Sequence, residues 1–332
     1  KIVLILLLTL ALFSISSVSA QNIDVNTTNN INPLNEVLID ETISTSNELT
    51  NKSSIISNDL EKYYKDDKGF CATFYNENGT PLTNKNITFS VNGVSYIKTT
   101  DNNGTAKLNI NLESGNYTII SYNPTTNETI TNNITVLSSI NGNDLTKYFK
   151  NATQYSVTLY DKTGKALVNK TVRFNINGIF YERKTNEKGV AQLNINLDPG
   201  NYIVTVYNLI TGEEKSNNIN IVSRIQLLDL NNASNVILPE GYVIPVMFIG
   251  NGKAYAQCRA TTLDEKGNPL ANQLVTFNIN GIIYKGTTDK FGIIDAIIYV
   301  NADWGNTYHI CTATFGESFT SQTVIVKRFV MG

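Results

Sequence analysis

The chain has 332 residues, and 26 Lys and Arg against 28 Asp and Glu leave a formal net charge of −2. No basic stripe is present to neutralise phosphates, which argues against a nucleic-acid partner. A single His argues against ordinary acid–base catalysis, and the length accommodates two or three domains.

Lys1 precedes an apolar run over residues 2–13, and Val18-Ser19-Ala20 then sets small residues at the −3 and −1 positions of a signal-peptidase site. About 20 apolar residues are needed to cross a bilayer. The run therefore reads as a signal peptide over 1–20, with an uncleaved anchor as the alternative, and no transmembrane segment is expected in the mature chain. Residues 21–61 are rich in Asn, Ser and Thr and read as a flexible spacer.

A repeat begins next. Phe89-Ser90-Val91-Asn92-Gly93 recurs as Phe174-Asn175-Ile176-Asn177-Gly178 and as Phe277-Asn278-Ile279-Asn280-Gly281. Ile87, Phe89 and Val91 alternate with polar residues, as do their counterparts, and period two marks a strand with one buried face. Asn92-Gly93, Asn177-Gly178 and Asn280-Gly281 are predicted as two-residue hairpin turns, because both residues of a type I′ turn need positive φ. Return strands then carry Val94 and Tyr96 or their equivalents. Ala106, Leu108 and Ile110 form another alternating set, and Gly115-Asn116-Tyr117 opens the next strand, as Gly200-Asn201-Tyr202 does in the second unit.

Each unit thus holds about seven short strands with a turn every 8–12 residues, the pattern of an immunoglobulin-like sandwich. The fold class expected is all-β, with three tandem sandwiches over 62–138, 146–223 and 253–328. Residues 138–146 read as a short joint. Residues 224–252 read as a linker bearing an added strand, because Val243-Ile244-Pro245-Val246-Met247-Phe248-Ile249 is too apolar to stay free.

The residues Lys147-Tyr148-Phe149-Lys150-Asn151, Phe174-Asn175-Ile176-Asn177-Gly178 and Leu197-Asp198-Pro199-Gly200-Asn201-Tyr202 resemble bacterial-type immunoglobulin-like (Big) repeats. The likeness is nearest to the Asn/Thr-rich adhesin-like surface proteins of methanogenic archaea. It implies display at the cell surface and adhesion, and it carries no catalytic residue and no cofactor. The third unit departs from the pattern at Ile294-Asp295-Ala296 and in an insertion around Trp304.

Candidate chemistry is sparse. Cys258 aligns with Phe70 and Tyr155, and Cys311 with Val204 if the insertion lies before His309. On that alignment two opposed strands bring the thiols together as a candidate disulfide of the immunoglobulin kind, the alternative being two reduced buried cysteines. Cys71 is expected on the solvent face, and His309 reads as a strand residue. Asp101-Asn102-Asn103-Gly104 lacks the calcium-loop spacing and reads as a turn. No metal site is expected.

Sequons occur at Asn26, Asn51, Asn78, Asn86, Asn103, Asn116, Asn127, Asn133, Asn151, Asn169 and Asn232, with none in the third unit. The bare third unit is therefore the expected contact domain, with Trp304 and Tyr308 as candidate binding residues. The expected function is an adhesin-like secreted or surface protein. A carbohydrate-binding module and the non-catalytic part of a larger enzyme are the alternatives. The partners expected are a cell-wall component, or a host or microbial surface glycan or protein.

Overall fold

The computed structural model describes residues 52–229, 237–239, 243–250, 253–301 and 307–326. The segment read as a signal peptide, the part of the expected spacer through residue 51, Trp304 and the sequons at Asn26, Asn51 and Asn232 lie outside the described residues. Among the described residues, 24 strands fall into three sets of eight.

Unit 1 comprises β1 (Ile55–Ser57), β2 (Leu60–Tyr63), β3 (Gly69–Phe74), β4 (Asn86–Val91), β5 (Val94–Thr99), β6 (Thr105–Asn109), β7 (Gly115–Tyr122) and β8 (Thr129–Leu137). A small sheet β1-β3-β6 accompanies a larger one, β2-β8-β7-β4-β5. The first strand is split: β1 runs antiparallel to β3, and β2 crosses to lie parallel to β8. Unit 2 repeats this layout with β9 (Ile140–Gly142), β10 (Leu145–Tyr148), β11 (Tyr155–Leu159), β12 (Thr171–Ile176), β13 (Ile179–Lys184), β14 (Val190–Leu193), β15 (Gly200–Asn208) and β16 (Glu213–Val222).

Unit 3 comprises β17 (Ile225–Leu228), β18 (Val243–Gly250), β19 (Lys253–Thr262), β20 (Leu274–Ile279), β21 (Ile282–Thr287), β22 (Ile293–Asn301), β23 (Thr307–Phe315) and β24 (Ser318–Val326). Here β18 first runs parallel to β24 and then turns onto β19, joining the two sheets into one. The fold is an all-β string of three immunoglobulin-like sandwiches.

Alternation explains the cores. Ile87, Phe89 and Val91 of β4 point inward and are buried, as are Val172, Phe174 and Ile176 of β12 and Val275, Phe277 and Ile279 of β20. Phe89 meets Phe70 edge to face at 5.6 Å, and Phe174 meets Tyr155 at 6.1 Å. The hairpin turns adopt the expected conformation, with φ of 51° and 75° at Asn92 and Gly93 and equivalent values at Asn177, Gly178, Asn280 and Gly281. The return strands β5, β13 and β21 lie at the sheet edge and are largely exposed, with Ile97, Phe180 and Ile283 facing out.

Strands also occupy segments that sequence patterning assigned to spacer and joint. Beyond β18, the added strand expected inside 224–252, β17 lies there too, and β1 lies inside 21–61 and β9 inside 138–146. β1, β9 and β17 have three or four residues, too few for alternation to register, and gain their burial only from the sheet they join. Only two residues, 138–139, separate β8 from β9, and only two, 223–224, separate β16 from β17. The extra length of the third unit therefore falls between β17 and β18, inside the unit, and does not lengthen the joint.

Candidate functional site: the inter-unit joints and the third unit

Lys62-Tyr63 and Lys147-Tyr148 are identical pairs one repeat apart. Adjacent strand residues point to opposite sides, so one member of each pair turns inward and the other outward. Lys62 is 3% exposed and Lys147 4%. The Lys62 ammonium donates to the carbonyls of Asp66 at 2.5 Å and Ile110 at 2.7 Å, and Lys147 donates to Thr153 and Ile195, each at 3.0 Å. Burial holds both lysine pKa values below the usual range. The named acceptors are backbone carbonyls, so neither contact is the lysine–asparagine pair that an isopeptide crosslink requires.

The tyrosines reach into the next unit. Tyr63 packs over the turn at Gly164, where an added Cβ would lie 2.3 Å from its ring, and Tyr148 packs over Gly267, where the distance would be 2.4 Å. The two sockets occupy the same place in consecutive repeats. Tyr63 also meets Tyr160 at 5.7 Å between ring centres. Polar contacts differ between the joints: Asp67 pairs with Lys162 in the first. In the second, Lys150 pairs with Glu317 at 2.5 Å and the Asn151 amide donates to the Glu265 carbonyl at 2.6 Å.

Both linkers are tied to the unit that follows. Glu213 is buried and accepts from the Ser139 amide at 2.6 Å and the Ser139 hydroxyl at 2.7 Å, while Asn208 donates to the same hydroxyl at 3.0 Å. Glu128, Ser54 and Asn123 repeat the arrangement at the start of unit 1. Burial there pushes the Glu128 pKa up, but the Ser53 and Ser54 hydrogen bonds outweigh it and hold the carboxyl below its ordinary value. In unit 3, Ser318 replaces the glutamate and accepts from the Arg224 amide at 2.8 Å. Arg224 donates to the Leu263 carbonyl at 2.9 Å and lies over Phe315.

Gly164→Ala is expected to separate units 1 and 2 while both stay folded. The new methyl collides with Tyr63, and the φ of 85° adds about 1–2 kcal/mol of backbone strain. Gly79→Ala is the control, because Gly79 has a φ of 75° and nothing within 4 Å of an added Cβ. Residual dipolar couplings should report independent tumbling of units 1 and 2 for Gly164→Ala and joint tumbling for Gly79→Ala. The same result for both variants would refute the socket.

In the third unit the register pairs Ile279 with Cys311, as it pairs Ile176 with Val204. Cys258 and Cys311 are buried on strands of the two sheets, with their sulfurs 3.7 Å apart, and both are free thiols. Hydrogen bonding to Cys311 and burial push the Cys258 thiol far above its usual pKa. Cys71 is exposed.

Tyr117 and Tyr202 donate to carbonyls four residues upstream, at 2.9 Å and 2.8 Å, as a tyrosine corner does. The corresponding position of unit 3, two residues before Cys311, is His309. Asp101 accepts from the amides of Asn103 and Thr105, and Asn186 and Asp289 do the same, so this repeated position is a turn. Among the described residues no group of three or more His, Cys, Asp or Glu is placed to hold a metal ion, and no helix is long and apolar enough to cross a membrane.

Tyr308 is 73% exposed on β23. Sequence reading missed a second aromatic feature. On β19 and β22, Tyr255 lies opposite Tyr299 with ring centres 6.3 Å apart, Gln257 opposite Ile297, and Arg259 opposite Asp295. Arg259 and Asp295 form a two-point ion pair at 2.7 Å and 3.1 Å. Alternation along the Ala-rich strand β19 was the available signal, since it turns Ala254, Ala256, Cys258 and Ala260 inward and the tyrosine outward.

No family model matches the chain, and no curated protein matches it. Among solved structures it is similar to a Ca2+-stabilised adhesin with which an Antarctic bacterium binds ice, at 14% identity and a TM-score of 0.20, covering 84% of this chain and 75% of that one. It is similar to a mixed-linkage glucan-utilisation protein of Bacteroides ovatus, at 11% identity and a TM-score of 0.21, covering 88% and 69%. It is also similar to invasin, a bacterial integrin-binding protein, at 12% identity and a TM-score of 0.22, covering 81% and 59%. Identities and scores of this order carry no inference about what this chain binds.

Proposed function

We propose that this chain is an adhesin-like, non-enzymatic repeat protein of the secreted or cell-surface kind, in which units 1 and 2 form a stalk and unit 3 makes contact. The observation that supports it best is the pair of equivalent joints, each built from a two-residue linker tied to the unit that follows and a tyrosine seated on a glycine turn. A chain that projects a contact surface needs successive units held in fixed relation, and long flexible linkers do not supply that.

The split first strand also suits tension. Each of β2 and β10 lies parallel to the last strand of its unit over four residue pairs. Pulling on the two ends of a unit slides these strands past each other and loads their hydrogen bonds together. The sequons at Asn78, Asn86, Asn103, Asn116, Asn127, Asn133 and Asn169 sit on exposed positions of units 1 and 2, which fits a glycosylated stalk of the Big-repeat type. The non-catalytic part of a larger enzyme would share this architecture and is the less economical reading.

The Tyr255–Tyr299 pair, with Tyr299 exposed and Tyr255 half-buried, favours one second reading, a carbohydrate-binding module, because aromatic faces stack on sugar rings and Gln257 adds a hydrogen-bonding group beside them. Binding of the full chain to whole cells and to immobilised cell-wall glycans, with Trp304→Ala, Tyr308→Ala and Tyr299→Ala variants, separates the two. Cell binding that Trp304→Ala or Tyr308→Ala reduces at least tenfold, without glycan binding, supports adhesion; a tenfold loss is about 1.4 kcal/mol. Glycan binding lost with Tyr299→Ala supports the module. Binding to neither overturns both.

A further inference from the structure

Asn151 differs from the other described sequons in where its amide points. Its Oδ1 accepts from the Thr153 amide at 2.8 Å, closing a local turn, and its Nδ2 donates across the joint to the Glu265 carbonyl of unit 3 at 2.6 Å. The same turn in the first joint is built by Asp66, whose Oδ1 accepts from the Lys68 amide at 3.1 Å. A carboxylate performs the turn equally well and cannot be N-glycosylated. Asn151-Ala152-Thr153, in contrast, carries the acceptor motif. On either side of the amide stand Tyr148 on Gly267 and the Lys150–Glu317 ion pair.

We propose that Asn151 is a modification site, and that its N-glycosylation and the closed joint between units 2 and 3 exclude each other. Glycosyl transfer forms a bond between Nδ2 and the anomeric carbon of a sugar. It breaks that carbon's bond to the phosphate of a lipid-linked oligosaccharide donor, whose phosphate leaves with the electron pair, and it releases one Nδ2 proton. The glycan then occupies the space in which Nδ2 meets the Glu265 carbonyl, so the turn at Asp264–Asn268 is displaced and Tyr148 leaves Gly267. Modification would convert a fixed joint into a hinge beneath unit 3, while the Asp66 joint beneath unit 2 stays fixed. The proposal needs the export proposed above and is independent of what unit 3 binds.

The test uses the full chain secreted by a host that fills the exposed sequons at Asn86 and Asn103, compared with Thr153→Ala from the same host. That variant removes the motif but leaves Asn151 and the backbone amide of residue 153 in place. Peptide mass spectrometry reads occupancy, and residual dipolar couplings read whether units 2 and 3 share one alignment. The expected result is separate alignment when Asn151 carries a glycan and shared alignment in Thr153→Ala. Shared alignment with Asn151 occupied, the remaining N–H still serving Glu265, would overturn the proposal. Should Asn151 stay empty while Asn86 and Asn103 are filled, Tyr148→Ala must raise its occupancy by opening the joint. An unchanged occupancy in that variant also overturns it. Binding by unit 3 enters none of these readouts.

Discussion

Phe174→Ala should lower the stability of unit 2 by about 3–5 kcal/mol. Phe174 is fully buried at the centre of β12, flanked by Val172 and Ile176 and meeting Tyr155 edge to face. Truncation loses the transfer free energy of the ring and opens a cavity between two sheets whose backbones are fixed by their own hydrogen bonds. For a unit of this size each kcal/mol moves the midpoint by about 4–8 °C, so one calorimetric transition should fall by roughly 12 °C or more. The transitions of units 1 and 3 should move far less, because neighbours in a repeat array share only their interface terms. Ile203→Ala, at an exposed position of β15 in the same unit, should stay within about 0.5 kcal/mol. A single transition in which all three units fall together would show the joints to be stronger than the units.

Oxidation of unit 3 is the second large effect. Closing Cys258 to Cys311, with loss of two protons and two electrons to a disulfide such as oxidised glutathione, should raise the stability of unit 3 by about 4 kcal/mol from loop-closure entropy for their 53-residue separation. The sulfurs already lie 3.7 Å apart in the buried interior, on opposed strands of the two sheets. After oxidation, one of the chain's three cysteines should react in denaturant without reductant, and that one should be Cys71. Three reactive thiols after oxidation, with no change in the unit 3 transition, would establish the pair as a reduced packing contact. Cys258→Ser should abolish the gain and leave units 1 and 2 untouched.

The third unit shows why this pair is where it is. Phe70 and Tyr155 fill the corresponding positions of units 1 and 2 and face Phe89 and Phe174. In unit 3, Cys258 stands there beside Ala254, Ala256 and Ala260, all buried. Small side chains along β19 set a thiol against its partner across the interior, in place of a ring against a ring.

Much of this was legible along the chain. Alternation at Phe89, Phe174 and Phe277 and the three Asn-Gly turns specify strands and hairpins by local chemistry alone. The solvent-facing position of Cys71 and the turn at Asp101 follow in the same way. Three-residue strands such as β1 and β9 escaped because they have too few positions to show a period. Tyr63 and Tyr148 could be seen as repeated residues, but their partners Gly164 and Gly267 lie about a hundred residues on, in turns whose reason for needing glycine is not local. The Tyr255–Tyr299 pair depends on a strand register that no single segment contains.

The sequence by itself determined an all-β chain of three like units, their inward and outward faces, and their turns, because these rest on side-chain alternation and on the φ preferences of Asn and Gly. Tertiary structure alone decided that the joints are two residues long, that the added length of the third unit lies within it, and that Asn151 faces a neighbouring backbone. Those properties arise from contacts between distant segments, whose free energies are set by register and close approach and leave no periodic trace in the sequence.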